Sequence, residues 1–246
     1  MNSYLYDNNF SSLLCLCYTL IKSKITPDNI ISEDEYIENL FDEPVFFKLD
    51  NKKIMKEIRN RINLNILNVL YYAYLSNTQS KELVIYDFIK NTLIYGNSIF
   101  GRRNIDSVNE VIKMSHRVGG EAHRMKGFTR FKKMKHFYYS EIEPTNNVIW
   151  IIARHFKERL SNEYWIIKDI KREIYAVYNK KKIIFLKKDE VVKLNLDFSK
   201  EEMLFEDLWK TFFKTVAIKE RENKKCQMNH MPKKYWSNML EMENEI

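Results

Sequence analysis

Glycine and proline are scarce, at five and four residues in 246, which leaves no room for a low-complexity linker. Cysteine is rarer still. Cys15, Cys17 and Cys226 are odd in number and far apart, with no CxxC pair or three-cysteine cluster. The chain therefore does not itself hold an iron–sulfur cluster of the radical-SAM kind. Cys15 and Cys17 fall in an apolar segment, a common place for buried free thiols. No apolar run approaches the roughly 18–20 residues that cross a bilayer. Met1-Asn2-Ser3-Tyr4 lacks the basic start of a secretory signal, so a cytoplasmic protein without a membrane span is expected. GxGxxG, P-loop, HExxH and GxSxG patterns are all missing. Their absence argues against stand-alone nucleotide, zinc-protease or serine-hydrolase chemistry, and no cofactor is implied.

What the chain does contain is a folded composition, 45% hydrophobic and 14% aromatic, enough for one large domain or two small ones. Its charge is uneven. Residues 1–50 set Lys22, Lys24 and Lys48 against nine carboxylates, and this acidic front is a candidate partner surface. Residues 101–136 reverse the balance, with ten lysines and arginines against Asp106, Glu110 and Glu121. His116, His123 and His136 share that window, and Phe128, Phe131, Phe137, Tyr138 and Tyr139 interleave with or follow it. Cations laced with aromatics suit a polyanion, although a solvated cationic face gives the same pattern.

Taken in order, residues 4–7 read as a strand and Asn8-Asn9 as a turn. Ser11 or Ser12 then caps a helix to about Ser23. Residues 28–43 look acidic and irregular, and 45–49 look like a strand. Residues 52–99 carry helical periodicity. Tyr71, Tyr72 and Tyr74 there fit either base stacking or a core with hydroxyls at its rim. After a loop at 101–104, Asp106 or Ser107 caps a helix leading into the basic centre. Gly119 and Gly120 lie within it at a cost of roughly 1 kcal/mol each, which suggests close approach by a helix, a ligand or a phosphate. From Gly127 to Pro144 the period changes to a hairpin turning near Lys133 to His136. Residues 148–160 form an amphipathic helix with Trp150, Ile151, Ile152, His155, Phe156 and Leu160 inward. Strands follow at 165–169, 174–178 and 183–185, then helices at 200–218 and 235–243.

The fold class expected is α+β: a helical N-terminal half, a central antiparallel sheet in β-β-α-β-β-β order, and a helical C-terminal cap. A soft border near Gly101 separates residues 1–100, mostly helical with short edge strands, from a basic α+β region at 101–246. One continuous domain is the alternative.

Arg124, Lys126 and Arg130 are the expected phosphate contacts, with Arg117, Lys132 and Lys133 outside them, since guanidinium forks and lysine point charges both suit phosphate. Tyr235 is a candidate for stacking on a base, and Trp236 for anchoring the last helix. Glu121 beside His123 reads either as an acid–base pair or as an ordinary helical ion pair of Glu121 with Arg124. Lys126, among cationic neighbours, is a candidate Schiff-base nucleophile. Asp169 and Arg172 read as a structural contact. His116, His123 and the Cys226–His230 pair lack a clear third ligand, so no metal site is expected.

Three segments carry a resemblance. They are Glu121-Ala122-His123-Arg124-Met125-Lys126-Gly127-Phe128-Thr129-Arg130-Phe131, then Trp165-Ile166-Ile167-Lys168-Asp169-Ile170-Lys171-Arg172, then Met231-Pro232-Lys233-Lys234-Tyr235-Trp236. In this order they resemble the signatures of the bacterial family described as "probable DNA metabolism protein", and the opening Tyr4 to Phe10 also fits. The resemblance implies a DNA setting and a neighbouring radical-SAM protein of DNA modification or repair. In some relatives the domain is fused to a uracil-DNA-glycosylase-like domain. It implies no reaction and no catalytic residues. Two functions are therefore expected: a DNA-binding accessory protein working with that radical-SAM partner, or a stand-alone nuclease or glycosylase/lyase-like enzyme centred on Glu121, His123 and Lys126. The pattern does not separate DNA from RNA.

Overall fold

A computed structural model describes residues 2–38, 42–47, 49–190, 208, 215, 221, 223–239 and 242. They divide into two units, Met1–Gly120 and Glu121–Ile246. The division falls inside a helix, later in the chain than the soft border near Gly101. The class is α+β, with helices dominating the first half and a sheet in the second.

The first unit is built around β1 (Asn2–Tyr6), the centre of a parallel three-stranded sheet of order β2-β1-β3. Parallel neighbours need a crossover, and α1 (Phe10–Lys22) supplies it between β1 and β2 (Asn29–Ser32). Its N-cap is Asn9, whose side chain accepts from the Ser12 N–H at 2.8 Å. The serines are therefore inside the helix, in line with asparagine's equal capping preference. β2 lies in the stretch expected to be irregular, and β3 (Glu43–Phe46) begins earlier than its apolar residues suggest. Four helical elements follow: α2 (Asn51–Arg61), α3 (Leu64–Tyr74), α4 (Lys81–Tyr95) and a 3-10 turn at Gly96–Gly101. Asp50 and Asn63 cap α2 and α3 through their side chains. Leu13, Leu14, Leu16, Ile66, Leu70, Ile85 and Phe88 are buried in one core. Cys15 and Cys17 lie there as free buried thiols, and burial pushes both thiol pKa values up.

Helix α5 (Asp106–Phe128) runs 23 residues and continues through Gly127 and Phe128, which the change of period assigns to a strand. Thr129 ends it, its N–H and hydroxyl both donating to the Met125 carbonyl.

The second unit holds a five-stranded sheet of order β4-β5-β6-β7-β8: Lys132–Lys133, Tyr138–Ile142, Tyr164–Asp169, Ile174–Asn179 and Ile183–Lys187. The order β-β-α-β-β-β is as expected. Pairing is antiparallel except between β5 and β6, which run parallel because α6 (Ile149–Arg159) crosses over between them. Ile152, Ala153 and Phe156 of α6 are buried, as are Trp165, Ile167, Ala176 and Tyr178 on the sheet. Phe131 fits between, edge-on to both Phe156 and Trp165. Trp150 is not inward; it is 36% exposed and lies on Phe185. Near the C-terminus a short helix α7 (Lys224–His230) is followed by a 3-10 turn, Lys233–Asn238, in place of the helix expected from residue 235. Of the helix expected at 200–218 only residues 208 and 215 are described, both helical; the rest lies outside the described residues. Among the described residues, no helix is long and apolar enough to cross a membrane.

Candidate functional site

The three segments singled out in the sequence meet at one short loop, Pro144–Asn147, between β5 and α6. Glu121 of α5 reaches it from one side. This glutamate is three residues after Val118 and four before Met125, both buried, so helical spacing puts it on the apolar stripe. It is 1% exposed. Its Oε1 accepts from the Thr145 N–H at 3.0 Å, Lys234 Nζ at 3.0 Å and the Tyr235 hydroxyl at 3.3 Å. Its Oε2 accepts from the Asn146 N–H at 2.8 Å and the Asn146 amide at 2.6 Å. Five donors saturate a carboxylate that offers about four lone-pair directions.

Burial opposes ionisation of Glu121. The Asn146 and Thr145 N–H groups, then Lys234 and the Asn146 amide, outweigh it and hold the carboxyl at about 2. Lys234 responds in kind. Burial disfavours its charge, yet the company of Glu121 and Tyr235 raises its pKa. Lys234 also donates to Thr145 Oγ1 at 3.1 Å and lies over the Tyr235 ring.

Arg172 holds the same loop by its carbonyls, donating to Pro144 O at 3.1 Å and Thr145 O at 2.5 Å. Its guanidinium is aligned by Asp169, 3.1 Å away, whose side chain is fully buried. Burial raises the Asp169 pKa, and Arg172 offsets part of the rise. The expected structural contact is thus a buried one that reaches into the motif cluster.

The expected site residues separate into two groups. Glu121, Arg124 and Tyr235 are in the network: Arg124 is half-buried and its Nε donates to the Tyr235 hydroxyl at 3.4 Å. Tyr235 is 1% exposed, packed on Phe128 and hydrogen-bonded through its hydroxyl, so its ring has no face for a base. Stacking by Tyr235 is thereby corrected to an anchoring role, which Trp236, buried with its Nε1 donating to Met231 O, shares. The second group consists of polar residues outside the network. His123 and Arg130 are exposed and Lys126 is half-buried. The guanidinium of Arg130 folds back to the Gly127 carbonyl at 3.0 Å. Lys132 and Lys133 are on β4, and Arg117 is exposed on the earlier part of α5. Glu121 and His123 do not form an acid–base pair, because one side chain is buried and saturated while the other leaves the helix into solvent. A base at neutral pH needs a pKa far above that of Glu121.

His155, expected only as an inward residue of the 148–160 helix, has charged company that the sequence did not suggest. Burial lowers its pKa first, and the positive charges of Lys126 and Arg159 lower it further, with Glu158 opposing them. The sequence spacing of 126, 155 and 159 carries no hint of this grouping. Among the described residues, no three His, Cys, Asp or Glu side chains are placed to hold a metal ion.

No curated protein and no solved structure matches the chain. A family model described as a domain of unknown function, DUF4130, matches residues 79–241, a span that contains all three segments of the network. With about two thirds of its length matched, the chain belongs to the DUF4130 family.

Proposed function

We propose that this chain is a DNA-binding accessory protein in DNA repair or modification, and that a radical-SAM partner supplies the chemistry. The observation that carries the DNA reading is the positive field at the end of α5. Lys126 of α5 and Arg159 of α6 are close enough to His155 to disfavour its proton, and the exposed Arg130 follows two residues past the end of α5. Lys132, Lys133 and Arg117 would serve as outer contacts to the sugar–phosphate chain. The resemblance of the three segments to the DNA-metabolism family supports the partner. Glu121 supports neither a nuclease nor a lyase, since a carboxylate with five donors is an anchor.

Anisotropy of a labelled DNA oligonucleotide across a salt series tests the binding half. Affinity is expected to fall steeply with salt, and Lys126→Glu and Arg130→Glu are each expected to remove about one unit of the log–log slope. An affinity indifferent to salt would overturn it, and stronger binding of the RNA counterpart would redirect it. Co-purification with a radical-SAM protein tests the partner half. Borohydride trapping of the protein on abasic DNA would restore the enzyme reading through Lys126.

A further inference from the structure

Gly119 and Gly120 stand inside a helix that is otherwise unbroken from Asp106 to Phe128. Each weakens the helix relative to alanine, so some other need must keep them. For Gly119, tight packing within the first unit is not that need. A Cβ placed on Gly119 would meet only the Tyr72 ring, at 3.6 Å, an ordinary contact distance. What the glycines provide is space. They help line a groove between α3 and α5 of about 420 Å³, together with Asn68, Val69, Tyr72, Ser115 and His116. The groove is open to solvent over most of its mouth, so it suits one flat face more than an enclosed ligand. Its lining is mostly apolar and contains no carboxylate. Tyr71 meets Tyr72 edge-on, with centroids 6.3 Å apart and planes at 80°, so a neighbouring ring braces Tyr72. The other two tyrosines of this helix are engaged elsewhere: Tyr71 and Tyr74 both pack on Phe10.

We propose that this groove seats one nucleobase of a bound strand, its flat ring stacked on Tyr72 over the glycine floor. A base has apolar faces and a polar edge. The groove answers with a ring and bare backbone for the faces, and leaves the edge to solvent beside Asn68, Ser115 and His116. Arg117, exposed and next to His116 in the chain, suits the phosphate that must accompany the base. The absence of a bordering carboxylate fits an occupant that carries negative charge. This inference rests on the reading that the chain binds nucleic acid.

The test uses the full chain and two labelled strands of equal length, one of thymidylate and one with abasic sugar–phosphates throughout. The wild type is expected to bind the thymidylate strand about tenfold tighter. Tyr72→Ala is expected to erase most of that preference while leaving affinity for the abasic strand and its salt dependence unchanged. Gly119→Ala, which favours the helix and has room for its methyl, raises the floor and is expected to reduce the preference too. Equal wild-type affinity for the two strands would overturn the groove and leave DNA binding intact. A preference that survives both substitutions would place the base elsewhere. Binding of neither strand would overturn the functional reading itself.

Discussion

Each unit buries a glutamate, and the two are treated in opposite ways. In the first, Glu82 is 8% exposed with the Tyr6 hydroxyl 3.2 Å away and Lys81 at 4.0 Å, and burial raises its pKa. In the second, Glu121 is 1% exposed and its carboxyl is held at about 2. Burial is similar, so burial does not decide the outcome. The difference lies in donors fixed before the charge arrives. Two backbone N–H groups of a short loop face Glu121, and Lys234 and Tyr235 complete the set. Glu82 has one hydroxyl, one backbone N–H (its own) and an ammonium 4.0 Å away, too few to offset its burial. An ionised group inside a protein is thus a property of the backbone around it as much as of its counter-ion.

The strongest way to break this comparison is Glu121→Ala. It leaves the loop N–H groups without their acceptor and takes the carboxylate from Lys234 and Tyr235, and is expected to cost about 3–5 kcal/mol in urea unfolding. A loss within about 0.5 kcal/mol would show that the network is ornamental. Acid comes next. A carboxyl whose folded pKa lies below its unfolded value of 4.5 binds its proton more weakly when folded. Its stabilisation, about 3 kcal/mol, is therefore complete above that value and is lost as pH falls from 4.5 towards 2. Glu121→Gln is expected to flatten this acid limb. Arg172→Lys follows at about 2 kcal/mol, since one ammonium cannot span Asp169 and two carbonyls in the way a planar fork does.

Glu82 gives the opposite sign. Its folded pKa is raised, so its contribution is present below the ordinary carboxyl range and lost as pH rises through the folded value. Glu82→Gln, which keeps an acceptor for Tyr6, is expected to gain about 1 kcal/mol at neutral pH. A loss of similar size would erase the distinction between the two sites. The smallest effect is expected at Arg130→Ala. Its exposed bond to Gly127 O is worth a few tenths of a kcal/mol, while the DNA salt slope falls by about one unit.

The architecture was legible where the hydrophobic period spoke clearly. The switch from 3.6 to 2 after α5, the amphipathic stretch that became α6 and the three strands after it all appear in the expected order. β2 was hidden because four residues in an acidic segment make no pattern. The parallel β5–β6 pair was hidden because the crossover, and not the strand residues, sets direction. Glu121 was legible in part. Its spacing from Val118 and Met125 is that of the buried stripe, but its neighbours His123 and Arg124 read equally as an acid–base or an ion-pair partner. Its partners lie 24, 25, 113 and 114 residues away. No local window carries that information, and the resemblance alone joined the segments.

Those long separations set an order of events during synthesis. Translation at roughly 5–20 residues per second leaves α5 and the 144–147 loop waiting some ten seconds for Lys234 and Tyr235 to emerge. Until then Glu121 can engage only the nearer donors of Thr145 and Asn146. A chain stopped short of residue 234 would lack two of the five donors that hold the Glu121 charge.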